Sequence, residues 1–251
     1  MVASLLAVET LWQRELIRFW RQKSRVLGVV ASPLVFWAVI GFGSGASGPK
    51  LFFPGTVVLT VLFSAIFSTM SIIEDRREGF LLSMLVSPAS RTSLALGKIL
   101  GAATLAWIQG MVILAFAPLA GISLSLGELA PLAGIVFLIS FTLTALGFLI
   151  AWKFDSTQGY HAVMNLLLLP MWLLSGAMFP IAGASAVIRA VMLANPLTYS
   201  TSLLRRALTP GVAADGSPDA ATSLAVTAAF ALVLVAGSAA LASRKSSRSA
   251  A

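Results

Sequence analysis

Residues 51–73 read LFFPGTVVLTVLFSAIFSTMSII, and the next five are Glu74-Asp75-Arg76-Arg77-Glu78. A run of 23 residues without a charge exceeds the ~20 mostly apolar residues that a helix needs to cross a bilayer core. The pattern recurs on both sides of this stretch. Charge-free windows cover 26–49, 99–127, 129–152, 156–188 and 220–243. Six windows therefore reach spanning length. The predicted spans are 26–43, 51–73, 94–117, 130–152, 160–181 and 221–242, and the fold class is an all-α membrane protein with six transmembrane helices.

Composition agrees. Of 251 residues 58% are hydrophobic and 10% charged, where soluble domains carry about 25% charged residues. The mean hydropathy is +0.95. These values exclude a soluble enzyme and a nucleic-acid-binding domain, and the net charge of +8 reflects loops rich in Lys and Arg. Continuous apolar runs exclude a membrane β-barrel, whose strands alternate over about ten residues. Six spans put both termini on one side. With that side cytoplasmic, 13 Lys and Arg lie inside and 4 outside. The positive-inside rule then predicts a multi-pass protein of the cell (inner) membrane with both termini cytoplasmic. The mixed-charge segment ahead of the first span does not read as a cleavable signal.

Residues 1–25 form a predicted amphipathic helix. Leu5, Val8, Trp12, Leu16 and Phe19 recur at helical spacing, and Arg14, Arg18, Arg21 and Arg25 fall on the opposite face. Such a helix is expected at the cytoplasmic membrane interface, against lipid. After the fifth window, the pair Asn195-Pro196 splits two apolar stretches that are each too short to span. Proline lacks the N–H and restricts the residue before it, so 182–208 is predicted to be an outer re-entrant pair of helices.

No catalytic constellation is present. There is no Cys, and His161 is the single histidine. Ser175-Gly176 lacks the preceding Gly of a nucleophile turn, because position 173 is Leu173. Gly97-Lys98 is followed by Ile99, and Thr92 stands where a phosphate loop has its first Gly. An intramembrane enzyme is therefore disfavoured. Gln109, His161 and Asn165 lie inside apolar windows, where such groups commonly bond neighbouring helices. Gly97 and Gly101 form a GxxxG, a signature of close helix packing.

The cytoplasmic loop 74–92 has most to say about function. Its five charges are followed by Gly79 and then Phe80-Leu81-Leu82-Ser83-Met84-Leu85-Val86. Phe80 pairs with Met84, and Leu81 with Leu85, at i,i+4 spacing. A short amphipathic helix of this kind fits a groove on a partner; the alternative is a solvated turn. The run from Phe53-Pro54-Gly55 through this cluster to Ser87-Pro88, Arg91 and Leu96-Gly97-Lys98 resembles the type 2 family of ABC transporter permeases. Asn195-Pro196-Leu197-Thr198-Tyr199 and Leu203-Leu204-Arg205-Arg206 resemble it too.

The resemblance implies a membrane-spanning permease subunit, an exporter rather than an importer, working as a homodimer. It makes residues 1–25 a connecting helix. It makes Glu74, Asp75, Arg76, Arg77, Glu78, Phe80, Leu81, Met84 and Leu85 the coupling surface for a separate ATP-binding subunit. ATP and Mg belong to that partner, and this chain carries no cofactor, no metal and no catalysis of its own. A non-transporting membrane scaffold or assembly factor is the alternative.

Overall fold

The long charge-free window becomes the centre of the molecule. The computed structural model describes residues 2–86, 89–210 and 216–243. Eleven α-helices occur among them: α1 (Val2–Arg21), α2 (Lys23–Gly43), α3 (Gly48–Thr69), α4 (Ser71–Arg77), α5 (Phe80–Leu85), α6 (Arg91–Leu114), α7 (Leu126–Ala151), α8 (Thr157–Trp172), α9 (Ala186–Ala194), α10 (Pro196–Leu208) and α11 (Ala220–Ser243). No strand occurs among the described residues.

Five stretches are long and apolar enough to cross a membrane: Gly48–Arg77, Arg91–Leu114, Leu126–Ala151, Thr157–Ala177 and Ala220–Ser243. A sixth apolar stretch, Leu27–Gly43, is shorter. The first of the five is buried over 89% of its apolar window, whereas the last is buried over only 22%. Thus α3 is an axis around which α2, α6 and α7 pack, and α11 lies against α7 and α10 at the edge. Sequence hydropathy alone does not separate the two, since both windows are free of charge.

Helix ends follow local chemistry. Ser90 Oγ accepts from the Ser93 amide at the start of α6, and Ser156 Oγ accepts from the Gly159 amide at the start of α8. Each satisfies one of the orphan N–H groups of a first turn. At α7 the Glu128 carboxylate accepts from the Ser125 amide, a capping box.

Three details differ from the sequence reading. Helix continues from the second span through Glu74-Asp75-Arg76-Arg77 as α4, so these charges stand on a helix and not in a loop. The turn comes at Gly79, whose φ of +75° is one that side-chain-bearing residues rarely adopt. The fifth span is not continuous to residue 181. It ends in a widened π turn, Leu173–Ala177, broken at Gly176 with φ +80°. The segment after it does divide at Asn195, and α10 is largely buried in the bundle against α11, α3 and α7.

Candidate functional site: a buried ion cluster behind the α4–α5 loop

Helix α1 lies along α6, and glycines bring the two together. A Cβ at Gly97 would stand 3.0 Å from backbone atoms of Val8, and one at Gly101 would stand 2.8 Å from Glu15 Cβ. The GxxxG is thus an intrachain groove that receives α1. Trp12 Nε1 donates to Thr104 Oγ1 at 3.0 Å across the same contact.

This approach assembles an ion cluster. Asp75 is 0% exposed, and Glu15 and Lys98 are 3% exposed. Lys98 Nζ donates to Glu15 Oε1 at 2.7 Å and to Asp75 Oδ2, and it lies 3.4 Å from Ser71 Oγ. Arg14 grips Asp75 with both terminal nitrogens, at 3.1 and 2.7 Å. Arg18 donates to Asp75 Oδ1 at 2.8 Å and to Glu74 Oε2 at 2.7 Å. Three cations, Arg14, Arg18 and Lys98, therefore meet Glu15, Glu74 and Asp75, with Glu78 3.6 Å from Arg18 at the edge. Buried charges are tolerated when paired and hydrogen-bonded in this way. Burial works against the Arg14 charge, yet the hydrogen bond and attraction from Asp75 hold its guanidinium above the usual arginine range.

A second set of bonds leaves the other side of α4. Arg76 donates to the Phe154 carbonyl at 2.9 Å and to Asp155 Oδ1 at 2.8 Å, and Arg77 Nε donates to the Asp155 carbonyl at 3.0 Å. These tie α4 to the α7–α8 connection. The short helix thus joins α1, α6 and the α7–α8 connection.

The faces of the α4–α5 loop differ from the sequence reading. Leu81 and Met84, expected to meet a partner, are buried against Leu11 and Leu94 of their own chain. Phe80 lies under the Arg14 guanidinium, 3.8 Å from the ring centroid, a cation–π contact. The reason is α1, which covers that flank. What remains open is Arg77, Glu78, Gly79, Ser83 and Val86, the last 84% exposed. Arg14 and Arg18, expected on the polar face of an interfacial helix, turn inward to Asp75 and Glu74. Arg21 is exposed. The side chains of Arg25 and Leu85, the loop end at Ser87-Pro88 and the basic C-terminal residues Arg244, Lys245 and Arg248 lie outside the described residues.

Glu15 and Lys98 were not among the site candidates. One signal was readable. On a helical wheel Glu15 stands amid Val8, Leu11, Trp12 and Phe19, so an acid occupies the apolar stripe. An acid there needs a cation from another element.

At the other end of the bundle, α10 stitches the frayed end of α8. Asn195 Nδ2 donates to the Met171 carbonyl at 2.6 Å, Thr201 Oγ1 to Ser175 Oγ at 3.1 Å, and Arg205 to the Gly176 carbonyl. Asn195 Oδ1 also caps α10 by accepting from the Leu197 amide at 3.0 Å. Carbonyls of the broken helix end accept from side chains of the α10 region, as burial requires.

Several long apolar helices, no strand among the described residues and charges gathered at helix ends define a multi-pass membrane protein. The chain belongs to the ABC-2 type transporter family, whose model matches residues 7–209. Among its relatives is the protein named transport permease ycf38 in Cyanophora paradoxa, 29% identical over 163 residues, 62% of this chain and 54% of the relative. Its counterpart in Porphyra purpurea is 26% identical over 211 residues, 79% of this chain and 72% of the relative. The chain thus spans about half the length of the Cyanophora protein.

Proposed function

We propose that this chain is the permease subunit of an ATP-driven exporter in the cell (inner) membrane, that two copies form the pathway, and that a separate ATP-binding subunit docks on the α4–α5 loop. One observation carries the coupling. The loop has an open tip at Glu78, Gly79, Ser83 and Val86, and a closed back, where α4 is bonded to α1, α6 and the α7–α8 connection. Force applied at such a tip passes to three other elements through charge-assisted bonds and not through a flexible turn. ATP and Mg act in the partner, and both termini are cytoplasmic. Helix α2, 21 residues and so about 31 Å long at 1.5 Å per residue, is the sixth span. The pair α9–α10 is the outer re-entrant hairpin.

The docking surface differs from the one read in sequence: it is Arg77, Glu78, Ser83 and Val86, while Leu81 and Met84 hold the loop to its own chain. The test is co-purification with a co-expressed ATP-binding subunit. Glu78→Lys with Val86→Asp should weaken capture about tenfold or more, since a buried apolar side chain contributes ~1.5–3 kcal/mol and 1.4 kcal/mol is tenfold. Membrane insertion should be unchanged. Capture at wild-type affinity would remove the loop from the interface.

A further inference from the structure

Between the broken end of α8 and helix α9 lies a cavity of about 290 Å³, lined by Leu174, Phe179, Pro180, Ala184, Ile188 and Met192 among others. It sits at the lower edge of the ~300–1,000 Å³ range of ligand pockets. Nearly every lining group is apolar, with Ser185 the exception. A polar solute would lose its water here without replacement hydrogen bonds.

The surroundings are apolar as well. Phe179 is 59% exposed, and Val187, Ile188 and Val191 are 74%, 43% and 45% exposed. Helix α9 has nine residues, about 13 Å at 1.5 Å per residue, too short to cross a bilayer. A short helix with an exposed apolar face at a membrane boundary rests on acyl chains.

One charge marks the rim. Ser185, Ile188 and Met192 face the cavity at helical spacing. Arg189 follows Ser185 by four residues, 40° further around the helix, at the edge of the same face. Arg189 is exposed, and among the described residues no acid pairs with it. Its planar guanidinium suits bidentate binding of phosphate.

We propose that this groove holds one acyl chain of an anionic phospholipid of the outer leaflet, with the lipid phosphate on Arg189. Apolar depth with a cation at the mouth reproduces the order of tail and headgroup. The assignment to the outer leaflet rests on the topology proposed above.

The test is lipid retention. The protein is placed in nanodiscs of equimolar phosphatidylglycerol and phosphatidylcholine, then released and weighed by native mass spectrometry. Wild type should retain about one lipid per chain, with phosphatidylglycerol preferred several-fold. Arg189→Gln, a surface change without risk to folding, should still retain lipid but with the preference near unity. Ala184→Phe fills the groove and should lower retention several-fold. No preference in wild type, an unchanged preference in R189Q, or full retention by A184F would each overturn the site.

Both leaflets of the nanodisc are identical, so retention reads the groove irrespective of orientation. Orientation is read separately. An impermeant thiol reagent should label Ala221→Cys from outside intact cells, in a background without cysteine. Labelling without retention removes the lipid site alone. Retention without labelling overturns the outer-leaflet assignment and the topology with it.

Discussion

Replacing Lys98 by Met removes the cation that α6 contributes to the buried cluster. The loss is unequal for its two partners. Asp75 keeps Arg14 at 2.7 Å and Arg18 at 2.8 Å. Among the described residues Glu15 keeps Arg14 at 3.7 Å, beyond hydrogen-bond reach. Glu15 is 3% exposed, so water does not replace the lost ammonium. Removing one partner of a buried pair costs about 3–5 kcal/mol. The arginines around Asp75 put the expectation at the low end, ~3 kcal/mol. For a chain of this size each 1 kcal/mol moves the melting temperature by about 2–4 °C, so K98M should melt about 6–12 °C lower in detergent. The companion variant is Glu15→Gln with Lys98→Met. It removes an acid and a base together and leaves Asp75, Glu74, Arg14 and Arg18 in balance. Replacing a buried pair by uncharged groups of similar volume is often neutral. The double variant should therefore regain most of the loss, with a coupling energy of ~2 kcal/mol in the double-mutant cycle. If K98M melts with wild type, or the double variant melts no higher than K98M, the cluster is not held together by these charges.

Gly101→Val should push α1 off α6, because even its Cβ meets Glu15 Cβ at 2.8 Å; overpacking of this kind costs about 1–3 kcal/mol, and tryptic cleavage after Arg14 and Arg18 should accelerate. Asn195→Ala removes the cap of α10 and the bond to the Met171 carbonyl. A lost cap costs ~1 kcal/mol and a stranded carbonyl ~1–3 kcal/mol, so the melting temperature should fall, with Asn195→Asp in between because it caps but does not donate. N195D melting with wild type would show that the bond to Met171 contributes nothing.

The helices were legible because span length and charge boundaries are written locally. The windows over 51–73, 129–152 and 220–243 became α3–α4, α7 and α11 with ends moved by a few residues, and the break at Asn195-Pro196 stood where proline's missing N–H puts it. What depended on tertiary contact was not legible. Leu81 and Met84 have the spacing of a docking face, and nothing within the loop says that α1 already occupies that face. The basic stripe of α1 reads as the polar face of an interfacial helix until Asp75 is placed beside it. The break at Gly176 escaped notice because Leu-Leu-Ser-Gly-Ala is compatible with a helix, and only the polar side chains of α10, twenty or more residues later, make its freed carbonyls affordable.

Charge economy argues that the cluster is more than a fastening. A packed apolar contact among α1, α4 and α6 would hold these helices together at least as well, since buried ion pairs give little net stability. What charges supply that Leu and Val do not is directional register: Arg14 and Arg18 on α1 meet Asp75 and Glu74 while Glu15 meets Lys98, and a shift by one turn would set Leu11 or Phe19 against Lys98 and strand Glu15. An apolar seam slides at small cost, whereas this one stays aligned or breaks. In the proposed permease, a push on Glu78 or Val86 therefore moves α1, α4 and the start of α6 as one body, with Arg76 carrying the α7–α8 connection along. This leaves a distinct expectation for K98M beyond its stability. At a temperature where it remains folded it should bind the ATP-binding subunit as wild type does, because the tip of the loop is untouched, yet transport per ATP hydrolysed should fall. Loss of binding in K98M, with transport per ATP preserved, would make the cluster a support for docking and not a link in coupling.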